Sequence, residues 1–193
     1  MAVAEHKAFA PPPAAVRVYV VTASDSRTPD TNQGGRLVRE LAQAAGFPVA
    51  GEALLPDEPE AIRDLVSRLV GERAAEAILL TGGTGIAHRD ATVEALGGLL
   101  EKRIEGYGEL FRMLSFAEIG PAAMLSRALA GTIGQVAVFA MPGSPAGVRL
   151  AMERLILPEL THVVGELARR GGSGHAGQGA ERGHGDGHGP RRH

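Results

Sequence analysis

The chain contains no cysteine among its 193 residues, and neither sign of charge dominates it. Without cysteine it forms no disulfide and offers no thiolate ligand to a metal, and the same absence points only weakly to a reducing compartment. The 20 Lys and Arg residues stand against 22 Asp and Glu residues, for a formal net charge of −2. Because binding to nucleic acid or to an anionic membrane needs a basic surface, we expect neither partner.

Long apolar runs are also missing. No stretch approaches the roughly 20 apolar residues that a membrane span requires. The first residues, with Glu5, His6 and Lys7 among them, lack the apolar core of a signal peptide, so a cytoplasmic location is expected. Hydrophobic residues make up 44% of the chain and charged residues 22%, which is ordinary for a globular protein and sufficient for one domain of about 150 residues.

Composition divides the chain into three parts. Residues 1–15 contain three consecutive prolines and no periodic pattern, so we expect a flexible N-terminal arm. Residues 16–170 carry the periodic patterns of a folded domain. Residues 171–193 form a Gly-rich tail that is expected to be disordered. Its spaced histidines indicate either a solvated tail without a specific partner or a weak nickel or zinc ligand; they are His175, His184, His188 and His193.

Short β-branched or apolar runs alternate with longer stretches of helical periodicity. This alternation predicts right-handed βαβ units, and therefore an α/β fold whose mostly parallel central sheet is covered by helices on both faces. The predicted strands are 16–22, 49–55 at an edge, 77–80 and 136–140. The predicted helices are 37–45, 56–70, 92–100, 121–128 and a final region to about residue 170 that bends at Pro158. Residues 104–119 are mixed in character, with apolar residues at helical spacing; they are Tyr107, Leu110, Phe111 and Leu114. Residues 130–134, which include two glycines, are predicted to form a turn.

The third predicted strand ends in Gly82-Gly83-Thr84-Gly85, a loop with almost no side chains. Glycines at a strand end allow a ligand to approach the backbone, and the exposed N–H groups can bind a phosphate. A tight strand-to-helix turn is the alternative interpretation. Two other strands end in polar or glycine-rich turns, Ser24-Asp25-Ser26 and Pro142-Gly143-Ser144. Because parallel strands bring their carboxyl ends to one edge of the sheet, the three loops predict one pocket for a phosphorylated ligand.

Two carboxylates, Asp57 and Asp90, each follow a predicted strand at that same edge. Each has a structural alternative: Asp57, with Glu60 three residues later, fits a helix N-cap, and Asp90 fits the cap of the helix after the glycine loop. Beside bound phosphates the two carboxylates would instead hold Mg²⁺, which prefers carboxylate, phosphate and water oxygens. Asp25 is a third candidate, and its alternative role is to form the turn.

Ser126 and Arg127 follow an apolar turn and bring a hydroxyl next to a guanidinium group. This combination suits contact with a phosphate. The alternative is that both residues belong to an exposed helix surface.

Four motifs occur in one order along the chain, namely Thr81-Gly82-Gly83-Thr84-Gly85, Arg89-Asp90-Ala91-Thr92, Met124-Leu125-Ser126-Arg127-Ala128 and Met141-Pro142-Gly143-Ser144-Pro145. On these motifs the chain resembles the MoaB/MogA family of molybdenum cofactor biosynthesis proteins, to which the G domain of gephyrin is related. The resemblance runs from Val16 to about Arg169, so residues 16–170 look like a molybdopterin-binding domain of that family. The segment 105–116 is similar to the MoaB branch.

The resemblance implies a three-layer α/β/α sandwich and a reaction. In the family, the terminal phosphate of molybdopterin attacks the α-phosphorus of ATP, which yields adenylylated molybdopterin and pyrophosphate and requires Mg²⁺. The two catalytic aspartates of the family correspond to Asp57 and Asp90, which would also bind the metal, and a phosphate-contacting serine corresponds to Ser126. The glycine loop and Pro142-Gly143-Ser144 would line the nucleotide and pterin sites.

The same resemblance implies a homotrimer, or a homohexamer in the MoaB branch, with other molybdenum cofactor biosynthesis proteins as candidate partners. Some members of that branch do not adenylylate, so a non-catalytic protein that binds molybdopterin or a nucleotide in the same pathway is the alternative. Asp57 is an aspartate where at least one relative carries glutamate, which favours an active enzyme. The histidine-rich tail is not part of the family pattern, and an oligomeric scaffold or metal-handling protein that acts through it is a further alternative.

Overall fold

The computed structural model describes residues 10–169. The predictions for residues 1–9 and for the tail from residue 170 onward lie outside this range. Residues 10–15, which the sequence assigns to the arm, include a short 3₁₀ turn at Pro13–Ala15. No helix within 10–169 is both long and apolar enough to cross a bilayer.

Strands and helices alternate along most of the described range. The strands are β1 (Val18–Ala23), β2 (Val49–Leu55), β3 (Ala77–Thr81), β4 (Lys102–Arg103), β5 (Leu129–Ile133) and β6 (Val136–Met141). The α-helices are α1 (Gln33–Ala44), α2 (Pro59–Gly71), α3 (Thr92–Gly97), α4 (Glu105–Ile119), α5 (Pro145–Ala151) and α6 (Leu157–Arg169). A 3₁₀ segment, Gly120–Leu125, follows α4, and a π-helical segment, Met152–Ile156, joins α5 to α6.

The strands form one sheet in the order β2-β1-β3-β6-β5-β4. The pairs β1–β2, β1–β3 and β3–β6 are parallel, whereas β5 pairs antiparallel with β6 and with β4. Thr22 lies beside Thr81, and Thr81 beside Met141, so the carboxyl ends of the central strands lie together. The prediction that β2 is an edge strand is confirmed.

The residues of β3 show how the three layers pack. Leu79 belongs to the core beneath α1, α4, α5 and α6, whereas Ile78 and Leu80 belong to the core beneath α2 and α3. Because β3 is buried on both faces, its sequence is continuously apolar rather than alternating. The prediction of an α/β fold with a mostly parallel sheet between helical layers is confirmed.

Residues 130–133 do not form the predicted turn, because they belong to β5, which ends at Ile133. A Cβ atom on Gly131 would overlap the carbonyl oxygen of Lys102, so this glycine permits the close approach of β4. Gly134, with a φ of 57°, lies in the tight turn between β5 and β6. The predicted helix at 121–128 is also wrong in part, because the 3₁₀ segment ends at Leu125 and an extended chain follows.

Candidate functional site

A cavity of about 530 Å³ lies where β1, β3 and β6 end. All three predicted loops line it, together with both predicted catalytic aspartates, because the parallel register carries these strand ends to one edge. The structure therefore brings together every predicted site residue except Arg127, although their ligand roles stay predictions. These lining residues are Ser24, Asp25, Ser26, Asp57, Gly82, Gly83, Thr84, Gly85, Asp90, Ser126, Pro142, Gly143 and Ser144.

The glycine loop needs glycine for geometric reasons. Gly82 and Gly83 have φ values of 101° and 60°, in the left-handed region that side chains rarely adopt. A Cβ atom on Gly82 would overlap the carbonyl oxygen of Ala23, and one on Gly83 would overlap the Asp57 carboxylate. The loop therefore packs directly against β1 and against the carboxylate that the sequence predicts to be catalytic.

Asp57 joins two loops rather than capping a helix. Its Oδ1 accepts a hydrogen bond of 3.1 Å from the backbone N–H of Ala91, beyond the glycine loop. The backbone N–H of Asp57 in turn donates to Oδ1 of Asp25 at 2.9 Å, so the Asp25 side chain orients the segment that carries Asp57. The N-cap alternative for Asp57 is wrong, because the N-cap residue of α2 is Glu58 and makes no side-chain capping bond.

Asp90 is held within its own loop. Its Oδ2 accepts a hydrogen bond of 2.7 Å from the backbone N–H of Ala87. The same oxygen lies 2.6 Å from the position that a Cβ atom on Gly85 would occupy. The capping alternative for Asp90 is wrong as well, since the N-cap residue of α3 is Ala91.

The electrostatics of the cavity favour a bound cation near Asp57. Burial raises the pKa of the Asp57 carboxyl, and the charges of Asp90 and Asp25 raise it further; the hydrogen bond from Ala91 and the guanidinium of Arg89 oppose this rise. Burial is the main reason that Asp57 is costly to ionise, and the two neighbouring carboxylates add to that cost. A divalent cation bound beside Asp57 would lower that cost.

The donor set suits Mg²⁺ better than a metal enclosed by protein ligands alone. Within residues 10–169 there is no group of three His, Cys, Asp or Glu side chains that could hold a metal ion. Mg²⁺ commonly binds through one or two carboxylates and completes its shell with water and substrate phosphates. Asp57 and Asp90, both facing the cavity, fit that pattern.

Arg127 does not line the cavity, and its predicted contact with a phosphate stays a prediction. Its backbone N–H donates to the carbonyl oxygen of Thr84 at 3.1 Å, and its guanidinium donates to the carbonyl oxygens of Gly85 at 2.7 Å and Asp90 at 3.1 Å and pairs with Glu94. These contacts hold the glycine loop from outside the cavity. The alternative of an exposed helix surface is also wrong, because Arg127 lies in the extended segment after the 3₁₀ turn.

Ser144 uses its side chain locally. As the N-cap residue of α5, its Oγ accepts a hydrogen bond of 3.2 Å from the backbone N–H of Gly147. The preceding turn is held by Thr81, whose Oγ1 donates to the carbonyl oxygen of Pro142 at 3.0 Å. This hydrogen bond connects the β6 loop to the end of β3.

The structure adds site residues that the sequence reasoning missed. Arg89 and Arg27 bring positive charge to the cavity, and Ser115 and Glu118 line it from α4. Arg89 belongs to the motif Arg89-Asp90-Ala91-Thr92, so the sequence indicates that it lies near the site but not what it does there. Ser115 and Glu118 are three residues apart and therefore share one helix face, but no local pattern indicates that this face borders the cavity.

Comparison with known proteins places this geometry in a family context. The family described as "Probable molybdopterin binding domain" matches residues 19–162. A curated relative, molybdenum cofactor biosynthesis protein B of Bacillus cereus, is 49% identical over 171 residues, covering 88% of this chain and 100% of the relative.

Two solved structures extend the comparison to three dimensions. A crystal structure of molybdenum cofactor biosynthesis protein B is 50% identical, has a TM-score of 0.77 and covers 80% of this chain and 96% of that one. The molybdopterin biosynthesis enzyme MoaB from Thermus thermophilus is 34% identical with a TM-score of 0.71, covering 80% of this chain and 97% of that one.

Proposed function

Because this chain belongs to the molybdopterin-binding domain family of the molybdenum cofactor biosynthesis proteins, we propose that it transfers AMP from ATP to molybdopterin in a Mg²⁺-dependent reaction. The phosphate oxygen of molybdopterin would form a bond to the α-phosphorus of ATP while the bond to the β-phosphate oxygen breaks. The products are adenylylated molybdopterin and pyrophosphate. One observation carries the proposal: Asp57 and Asp90 face a single cavity beside a glycine loop.

In this mechanism the protein positions charged groups and supplies no nucleophile of its own. Asp57 and Asp90 would hold Mg²⁺, which when bound offsets charge on the phosphoryl oxygens. The backbone N–H groups of residues 83–85 would bind one phosphate, and Arg89 would bring a positive charge toward the departing pyrophosphate. Ser126, which lines the cavity, would contact a phosphate oxygen.

The direct test measures pyrophosphate release by the purified full-length chain with molybdopterin, ATP and Mg²⁺. We expect Asp57→Asn and Asp90→Asn each to slow release by more than about tenfold, since a metal supplies several kcal/mol of stabilisation. Asp64→Asn, on an exposed face of α2, is the matched control and should release pyrophosphate at the wild-type rate.

The same assay distinguishes an adenylyl-transferring enzyme from the non-catalytic binding protein. If the wild-type chain binds molybdopterin or ATP but releases no pyrophosphate, it is a binding protein of the pathway. If the chain is active and either Asn variant keeps the wild-type rate, that aspartate has no part in the mechanism.

We further propose that the chain forms a homo-oligomer, either the trimer or the hexamer that the resemblance implies. Large apolar side chains on α4 and the 3₁₀ segment are exposed, which is typical of a protein–protein interface; they are Leu110, Met113, Phe116, Ile119, Met124 and Leu125. Light scattering would give the assembly, and Met113→Glu should shift it to smaller species. A cytoplasmic location and other pathway proteins as partners stay predictions from the sequence.

A further inference from the structure

The last turns of α4 form a wall of the cavity that the proposed phosphate chemistry does not use. Ser115 and Glu118 line the cavity from this helix. The other three carboxylates in the cavity, Asp25, Asp57 and Asp90, each accept a backbone hydrogen bond from the loops that they hold. Glu118 is an exposed residue at the rim of the cavity, and within residues 10–169 its carboxylate has neither a hydrogen bond nor an ion pair, so it is available to a ligand.

Glu118 occupies an electrostatically unfavourable position. It is the second-last residue of α4, where the helix dipole presents its negative end. The last turn of α4 contains no basic residue that would offset the charge. Helices usually carry basic rather than acidic residues at this end, and no contact of Glu118 in the part of the chain that the structure describes compensates for the exception. An uncompensated exception of this kind is typical of a functional site.

Ser115 has a related peculiarity. The residue is only 5% exposed, and its hydroxyl makes no hydrogen bond within residues 10–169; it is not a buried unpaired atom, because Ser115 lines the cavity. A serine hydroxyl within a helix either bonds to a carbonyl of the preceding turn or points away from the helix. Here it lies one turn before Glu118 on the same helix face, so a donor and an acceptor face the cavity together.

Apolar residues surround these two polar groups. Phe111 and Ile119, from the same helix, line the cavity together with Ala122 and Ala123 of the 3₁₀ segment. An apolar wall with one carboxylate and one hydroxyl suits a flat heterocycle with a polar edge.

We infer that Glu118 recognises the amide–amine edge of the pterin ring and that Ser115 binds the neighbouring carbonyl oxygen. A 2-amino-4-oxo pterin has two adjacent donors, the ring N3–H and the 2-amino group, and a carboxylate accepts both at once. The 4-oxo group beside them accepts a hydrogen bond from a hydroxyl. This inference rests on the proposed function in one respect, namely that the ligand is a pterin.

The experiment compares two ring systems on the full-length chain, with binding followed by pterin fluorescence. The probes are pterin itself and lumazine, in which a 2-oxo group replaces the 2-amino group. The wild-type chain should bind pterin at least about tenfold more tightly than lumazine, as expected when a charged acceptor loses a donor. Glu118→Gln should reduce this preference to about threefold or less, because its amide presents a donor to the ring.

Two further variants complete the design. Ser115→Ala should weaken binding of both rings, because both carry the 4-oxo group. Glu109→Gln, an exposed acid on the same helix, is the matched control and should keep the wild-type preference. A wild-type chain without any preference for pterin, or a Glu118→Gln variant that keeps the full preference, would overturn the inference.

Failure of this inference is distinguishable from failure of the proposed function. The ring preference is measured without ATP, whereas adenylyl transfer is measured by pyrophosphate release. A chain that prefers pterin through Glu118 but releases no pyrophosphate retains the inference and loses the transfer reaction. A chain that releases pyrophosphate while Glu118→Gln leaves the preference intact retains the reaction and loses the inference.

Discussion

Gly83→Ala would place a methyl group between the glycine loop and the Asp57 carboxylate. Gly83 has a φ of 60°, and a Cβ atom there would overlap Asp57 Oδ1 and lie 2.5 Å from Thr92 Oγ1. The left-handed backbone costs about 1–2 kcal/mol with a side chain, and overpacking costs about 1–3 kcal/mol. Alanine also restricts the unfolded chain, which stabilises the folded protein by up to about 1 kcal/mol. The free energy of unfolding should therefore fall by about 2–4 kcal/mol.

Calorimetry and a binding assay together test this reasoning. For a chain of this length the loss corresponds to a fall in Tm of roughly 5–15 °C. Because the methyl group must displace the Asp57 carboxylate, binding of ATP with Mg²⁺, measured by isothermal titration, should weaken by more than about tenfold if Asp57 holds the metal. Gly98→Ala is the matched control, since a Cβ atom there meets nothing within 4 Å. A Gly83→Ala variant with wild-type Tm would show that the loop does not pack against Asp57 as described.

Three other substitutions test the energetics. Asp57→Asn should raise Tm at pH 7, because burial raises the pKa of Asp57 and its negative charge therefore opposes folding. The gain in Tm should vanish below about pH 3.8, where the wild-type carboxyl is protonated in both the folded and the unfolded chain. Glu76→Gln should lower Tm at pH 7 by about 3 °C, or about 1 kcal/mol, because Arg17 holds the pKa of Glu76 below its usual value. The difference in Tm between variant and wild type should shrink as the pH falls below about 4.5, where the carboxylate becomes protonated. A difference in Tm that does not depend on pH would contradict this prediction. Tyr107→Phe should leave Tm unchanged or raise it by up to about 3 °C, because the buried hydroxyl has no hydrogen-bond partner in the described structure. The ring keeps its edge contact with Phe139, whose ring centroid lies 5.4 Å from its own. A fall in Tm of more than about 5 °C would show that the hydroxyl has a hydrogen-bond partner after all.

The polar half of the cavity was predictable because its components are local. Apolar runs that stop at glycine or polar residues marked the ends of β1, β3 and β6. Asp57 and Asp90 followed strands in the same way, so their convergence required only the parallel topology. What remained open was the bonding of each carboxylate, because a capping pattern and a loop-to-loop bond look alike in sequence.

The antiparallel edge of the sheet was not predictable from local patterns. Gly131 and Gly134 together suggest a turn, but one allows β4 to approach closely and the other lies in a hairpin turn. Only the position of Lys102, about thirty residues earlier in the chain, distinguishes these roles. The same holds for Arg127, whose partners Glu94 and the carbonyl of Gly85 lie far from it in sequence.

By itself the sequence determined the alternation of strands and helices, and with it the edge at which three polar loops must meet, because side-chain periodicity and glycine backbone freedom act over a few residues. Tertiary structure alone decided which groups bond to each other, such as Asp57 to the N–H of Ala91 and Arg127 to the outside of the glycine loop. It also decided that Ser115 and Glu118 line the cavity. The physical reason is that hydrogen bonds and packing depend on distances of a few ångströms between residues far apart in the chain, and these distances exist only after the layers have packed.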